Sequence, residues 1–418
     1  GDRAYLAEMF AAMTAMDDWL ARHRDTLGSG GVEAFCAFDT GHDLSPRFWG
    51  VPDRCPGDAA RLAERVPGLP FVAPDLTANV ACQRAYLALA AAELGHRPEP
   101  WRERAAASER ALWSQCWRPD ATAFFDRATT GMVPVRSDVL ARVLACEIGG
   151  DDLAGALLRR HLMNPRAFLA PAGLTSLAMD DPRFDHDYTH NSWGGPVNLL
   201  TMLRAPDTFE STGHVAELVL ARSGTLAALL ATDRFPQTLD PWTGRPGFGD
   251  GYTPAMLWLL DDLERHTGIL PTASGELWLS GWPPTRLAND PAEAVGYARD
   301  VGGERVELVA DDQHVKVWRS GRPWLSFPTG WRVVTRGGDV ADAVGLSPTP
   351  TAGELVVRSR EGRAVLALTL GPNEHLSHAG RASPGFVPPV SSDMPAFDGS
   401  NRPPIDWAHH QSFAAHDL

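Results

Sequence analysis

No stretch of this 418-residue sequence approaches the ~20 consecutive apolar residues that a membrane-spanning helix needs. A basic surplus is missing too. Lysine and arginine number 38 against 52 aspartates and glutamates, a formal charge of −14. That balance excludes the basic face with which proteins hold nucleic acid or an anionic membrane. Cysteine is scarce: Cys36, Cys55, Cys82, Cys116 and Cys146 are odd in number, widely spaced and without a CxxC pair. Such usage fits reduced thiols in the cytoplasm better than a disulfide framework. The opening GDRAYLAEMF has neither a basic n-region nor an apolar h-region, so no signal peptide is read there, and it has no initiator methionine. Cytoplasmic location is the expectation. Tyrosine is rare, at 5, whereas tryptophan reaches 14. Indole is a large flat surface on which sugar rings stack, although burial is its commoner use.

Apolar content of 44% in a chain of this length allows two or more domains with sizeable cores. Leu6, Phe10, Met13, Met16, Trp19 and Leu20 recur at spacings of three and four and predict an amphipathic helix over 3–22. A loop rich in Gly, Pro and Asp follows over 27–75. Further helices are predicted at 76–95, 98–117, 137–147, 151–161, 196–204, 213–231 and 253–267, the first of these closed by Gly95. After about 270 the pattern changes to short alternating runs (Val306, Leu308; Val315, Val317; Leu366, Leu368, Leu370) separated by turns such as Ser320-Gly321 and Glu361-Gly362. This reads as an antiparallel β module of six to eight strands over 271–380, followed by an extended arm over 381–418.

Three polar clusters lie on the loops between helices: DTGHDLSPRFW within 39–49, DHDYTHNSWGGPVN at 185–198, and FPQTLDPWTGRPGFGDGYTP at 235–254. Each combines acids, amides or imidazoles with tryptophan and a glycine-rich bend. The repetition at helix junctions is expected where one end of a helical barrel gathers its loops around a site. Read one by one, each is also a capped turn. His186, Asp187 and His190 are metal-ligand types, but no HExxH or CxxC supports them, so neither a metal nor any other cofactor is expected. The chain lacks the GxSxG elbow of hydrolases and the GxxxxGK[ST] phosphate cradle. What remains is paired-carboxylate chemistry, in which one acid protonates a glycosidic oxygen and a second carboxylate handles water. Asp43, flanked by His42, Phe48 and Trp49, suits the first task because a carboxyl on a crowded aromatic loop holds its proton longer.

These clusters resemble those of the family 63 glycoside hydrolases, the mannosylglycerate hydrolases and, more distantly, the trehalases. The resemblance covers residues 1 to 267 and implies an inverting enzyme on an (α/α)6 barrel. DTGHDLSPRFW is similar to a segment in which the second acid is the general acid, here Asp43, and the arginine binds substrate, here Arg47. NSWGGPVN is similar to Trp-Arg-Gly-Pro-Val-Trp, with Gly194 where the sugar-binding arginine stands. QTLDPWTGRPG is similar to a segment opening on the glutamate that serves as general base, and Gln237 occupies that place. An amide cannot take a proton from water, although it can orient one.

Three readings follow from Gln237. Another carboxylate supplies the base (Asp250, less favourably Asp240 or Asp187). Phosphate replaces water, as in a phosphorylase. Or catalysis is lost and carbohydrate binding kept. The fold expected is mainly α: most of an (α/α)6 toroid over 1–270, with its first helices upstream of Gly1 and Leu6, Phe10 and Met13 exposed on the open flank, then a β-sandwich-like module. The function expected is inverting hydrolysis of an α-glycoside, with a small carbohydrate as partner. Asp43, Asp250 and Gln237 are the expected catalytic residues. Asp39, His42, Arg47, Trp49, His190, Asn191, Trp193 and Trp242 are expected to bind the substrate.

Overall fold

The computed structural model describes residues 2–55, 57–282, 293–359 and 362–389. Among these, nine α-helices precede a region built from strands: α1 (Arg3–His23), α2 (Ala59–Arg65), α3 (Pro74–Leu94), α4 (Glu99–Ala111), α5 (Val139–Leu144), α6 (Gly150–Leu157), α7 (Leu199–Glu210), α8 (Val215–Leu230) and α9 (Thr253–Thr267). Their ends follow local chemistry. Asp2 caps α1 by accepting the Ala4 and Tyr5 N–H groups at 3.0 Å each. Pro74 opens α3, where its missing N–H costs nothing, and Gly95 closes it in the left-handed conformation at φ +81. One core joins the faces of α3 and of α5 to α9, through residues such as Ala81, Leu140, Leu157, Phe168, Met202, Phe209 and Trp258.

Three expectations are corrected here. The 27–75 stretch contains α2, capped by Asp58, which its single buried leucine (Leu62) did not advertise. The helix predicted to end at 204 runs on to Glu210 through Pro206, because Met202, Ala205 and Phe209 are buried around the proline and outweigh its lost hydrogen bond. Phe10 and Met13 are not bare: they pack on Leu87, Ala88, Ala91 and Trp101, and Leu6 is half-buried. The exposed large side chains of α1 are instead Tyr5, Met9, Met16 and Trp19.

The strand region forms two antiparallel six-stranded sheets among the described residues, more than the six to eight strands expected. One is made of 269–271, 276–280, 331–336, 339–345, 375–377 and 380–382, the other of 294–301, 304–311, 314–319, 322–328, 351–359 and 362–370. Three-residue strands such as 269–271 are too short to show a period of two. Ile269, Leu279, Trp331 and Val333 from the first sheet meet Val306, Leu308, Val317 and Phe327 from the second in one core. Arg319 pairs with Arg322 across Ser320 and Gly321, both at positive φ, so the hairpin turn read from the sequence is present. Glu361 of the second predicted turn, and residues 390–418 of the predicted arm, lie outside the described residues.

The strands are tied to the helices by buried polar contacts. Arg332 donates to Glu210 of α7 and to the Arg265 carbonyl of α9, both at 2.9 Å. Glu217 of α8, fully buried, accepts from Asn373 Nδ2 at 2.7 Å and from the Val387 N–H at 2.8 Å, and its Oε1 lies 2.9 Å from His214 Nδ1.

Candidate active site

Backbone hydrogen bonds bring the three polar clusters together. The Trp193 N–H donates to the Asp43 carbonyl at 3.1 Å, which joins the first cluster to the second. Val197 and Asn198 pair with Leu239 and Thr238, which joins the second to the third. The Tyr188 carbonyl accepts from the Phe248 N–H at 2.9 Å and from Thr238 Oγ1 at 2.6 Å. Two glycines permit this crowding. A Cβ on Gly195 or on Gly247 would stand 2.0 Å from the Asp185 or the Tyr188 carbonyl oxygen, respectively.

At the junction the side chains of Asp43, Asn191 and Gln237 form a chain. Asn191 Nδ2 donates to Asp43 Oδ2 at 2.7 Å, and Gln237 Nε2 donates to Asn191 Oδ1 at 2.5 Å. Asp43 is half-buried. Burial pushes its carboxyl above the usual range, the Asn191 hydrogen bond opposes the rise, and the charge of Asp53 adds to it. Tyr252, the residue preceding α9, is near enough for the Asp43 charge to add to the effect of burial in raising its phenol.

Behind this chain lies a buried charge network. Arg47 is 1% exposed. It donates through Nε and Nη2 to Asp126 at 2.8 and 2.7 Å, and through Nη1 and Nη2 to Asp75 at 3.1 and 2.8 Å. Its Nη1 also lies 3.0 Å from His42 Nδ1. A guanidinium has no acceptor, so His42 Nδ1 accepts and its Nε2 donates to Asp138 Oδ1 at 2.9 Å. Asp138 Oδ2 takes Thr201 Oγ1 at 2.7 Å and Arg142 Nε at 3.2 Å. Arg47 and His42, both expected to bind substrate, are therefore corrected to a supporting position beneath the loop. Asp75, Asp126, Asp138, Arg142 and Thr201 escaped the sequence reading. The one local signal is Ser137-Asp138 ahead of an apolar run, which reads simply as a helix start.

Burial in this network, together with the nearby Arg142 charge, holds His42 down to about 4. A histidine that stays neutral in the fold contributes stability above its ordinary value of about 6.5, and loses it as pH falls from there to about 4. The window corresponds to about 3 kcal/mol. The urea midpoint should accordingly fall between pH 7 and pH 4.5, and less steeply in His42→Asn. An equal slope in the variant would show that other groups carry the loss.

The remaining expected residues divide. Trp193 is 1% exposed, with the Arg142 guanidinium 4.9 Å over its ring and the His42 ring edge-on at 4.7 Å. Its face is taken, which corrects its assignment to the sugar. Trp242 is half-buried, edge-on to Phe184 and His186, and lines a cavity of about 440 Å³ with Pro171, Gly224 and Arg245. Asp39 accepts the Phe35 N–H at 2.7 Å and borders a separate cavity of about 530 Å³ with Trp19, Arg24, Phe38 and Arg54. Trp49 is half-buried at the end of the 46–48 turn, and His190 is exposed, its Nδ1 3.1 Å from Asp187 Oδ2.

Among the base candidates, Asp240 Oδ1 accepts the Trp242 and Thr243 N–H groups, and Asp187 Oδ1 accepts both donors of Thr189. Asp250 stands apart: its side chain is 78% exposed and pairs with Arg234 at 2.7 Å. Among the described residues no three His, Cys, Asp or Glu side chains are grouped to hold a metal ion, and no helix is long and apolar enough to cross a membrane.

Residues 1–253 match the family model of the mannosylglycerate hydrolase MGH1-like glycoside hydrolase domain. The mannosylglycerate hydrolase of Thermus thermophilus, of family GH63, solved in complex with glucose, superposes with a TM-score of 0.54 at 20% identity, over 62% of this chain and 69% of that one. The same enzyme in complex with Tris and D-glycerate gives 0.52 at 19%, over 62% and 72%. A sialidase gives 0.60 at 13% identity, over 81% of this chain and 31% of its own. These likenesses are of fold. No curated protein matches the chain significantly.

Proposed function

The chain belongs to the MGH1-like glycoside hydrolases, and from that premise we propose that it cleaves an α-glycosidic bond with inversion, on most of an (α/α)6 toroid, with Asp43 as general acid. The observation that carries the reading is the convergence of all three clusters on one half-buried carboxyl whose proton is held by burial. Asp43 protonates the departing oxygen, and Gln237 orients the attacking water. Asp250 is the base, because it is the carboxylate of the third cluster that no turn consumes. An exposed ion pair such as Asp250 with Arg234 is worth less than about 1 kcal/mol and opens readily as substrate enters. Trp49 and His190, on the same loops as Asp43 and Asn191, flank the approach of a small carbohydrate.

The deciding experiment is proton NMR of early product from alkyl and aryl α-mannosides and α-glucosides. The β-anomer should appear first and then mutarotate; an α-anomer would exclude inversion. A second reading, a carbohydrate-binding relative without catalysis, is favoured by Gln237 standing in place of a carboxylate. Sugar binding by calorimetry with no turnover of any of these glycosides, with or without phosphate, would select it.

A further inference from the structure

We propose that Asn191 is a positioning residue that fixes which oxygen of Asp43 carries the catalytic proton and makes the acid sense the state of residue 237. The inference rests on the reading of Asp43 as general acid. It starts from the direction of two hydrogen bonds. Asn191 Nδ2 lies 2.7 Å from Asp43 Oδ2, and an amide nitrogen only donates. Oδ2 is thus an acceptor whether Asp43 is ionised or protonated, and the proton resides on Oδ1. On its other side Asn191 Oδ1 accepts from Gln237 Nε2 at 2.5 Å. The donors therefore all point one way, from Gln237 through Asn191 to Asp43. With Nε2 committed, Oε1 is the Gln237 atom left to accept from a water.

The backbone holds this relay in place. The Ser192 N–H donates to the His190 carbonyl at 2.8 Å and the Trp193 N–H to the Asp43 carbonyl, so Asn191 is clamped from its C-terminal side. The Gln237 N–H is bound by the Phe248 carbonyl at 2.7 Å, and its own carbonyl accepts the Leu199 N–H at 2.8 Å. Among the described residues, the charged or titratable groups near Asp43 include Asp53, Tyr252 and the neighbouring His42. Asp53 and an ionised Tyr252 would repel a charge on Asp43, whereas Asn191 supports that charge.

Reversal follows from the same chemistry. A carboxylate at 237 can only accept, so Gln237→Glu would turn the Asn191 amide around. Its Oδ1 would then face Asp43, which is compatible only with a proton on Oδ2. The ionised acid would lose its supporting donor and meet an acceptor instead. In Gln237→Glu the relay should therefore keep Asp43 protonated to higher pH, and Asn191 should be necessary for most of that effect.

The test titrates the Asp43 carboxyl by 13C NMR of carboxyl-labelled protein, with Asp43→Asn as the assignment control. It needs no turnover. In Asn191→Ala the midpoint should move up by about one pH unit, the loss expected for one hydrogen bond to a charged group. Asn191→Ser, whose hydroxyl is too short to span both partners, should do the same if alanine does not fold. Gln237→Glu should also raise the midpoint, and less than half of that rise should survive in the double variant with Asn191→Ala. An unmoved midpoint in both Asn191 variants, or a fully additive double variant, overturns the relay. For a substrate that needs protonation, methyl α-mannoside or methyl α-glucoside, the basic limb of kcat/KM should follow the NMR midpoint. Full activity in Asp43→Asn would remove the acid assignment itself, whereas an inactive Asp43→Asn with an unmoved midpoint in the Asn191 variants would sink the relay alone.

Discussion

Asp43→Asn should lower kcat on an alkyl α-glycoside by about 10²–10⁴-fold, the usual contribution of a positioned general acid, while leaving sugar affinity within about twofold. The asparagine keeps the volume of the side chain, and its amide can still meet Asn191, so the loop should stay in register with the Trp193 N–H bond intact. What disappears is the proton on the atom facing the glycosidic oxygen. An aryl glycoside whose phenol leaves unaided should therefore lose much less than an alkyl one. Asp250→Asn should be as damaging but with no such dependence on the leaving group, since a base acts on water rather than on the departing oxygen. Because burial and the Asp53 charge both push the Asp43 carboxyl up, activity should persist above the pH at which an ordinary carboxyl would have ionised. Undiminished turnover in Asp43→Asn would refute this mechanism outright.

Arg47→Met is expected to have the largest effect on stability. The guanidinium is surrounded by Asp75 and Asp126 with almost no solvent, and its removal leaves two carboxylates buried without a cation. Breaking a buried pair from one side costs about 3–5 kcal/mol. Here both acids lose their partner, and His42 loses the donor that sets its tautomer. The urea midpoint at pH 7 should fall accordingly. Arg47→Lys should recover part of the loss, because it restores a charge but not the forked bonds to two acids. A triple change to well-packed apolar residues at 47, 75 and 126 should be far milder than Arg47→Met alone. If Arg47→Met unfolds at the same urea concentration as the parent, the network does not carry the loop.

The helices were legible because a 3.6-residue period survives in one dimension. Phe10 and Met13, three apart on α1, belong to such a pattern and pack on Leu87 of α3, whose end Gly95 marks. The three clusters were legible because glycine, proline, acids and tryptophan rarely crowd into short loops. What escaped was whatever depends on burial. Arg47 was assigned to the substrate by resemblance, and the partners that occupy it lie 28 and 79 residues away, outside all three clusters. Trp193 is a parallel case: the arginine that covers it, Arg142, sits on α5. Asn191 was named, but its two-sided bonding is a property of the assembled loops. The exposure of Asp250 and its pairing with Arg234 are not readable from the sequence.

Glu217 gives the helical part a dependence that its own sequence would hide. The carboxylate is fully buried on α8, and two of its hydrogen-bond donors lie beyond the helices: Asn373 within the strand region and the Val387 N–H after it. Asn373 in turn accepts the Ala216 N–H at 2.7 Å. Cut away everything after about residue 270 and α8 is left with a charge in its interior and no donor except His214. The helical part is thus not a portable cassette. Any attempt to shorten this protein, or to graft its helical part onto another scaffold, has to neutralise position 217 first.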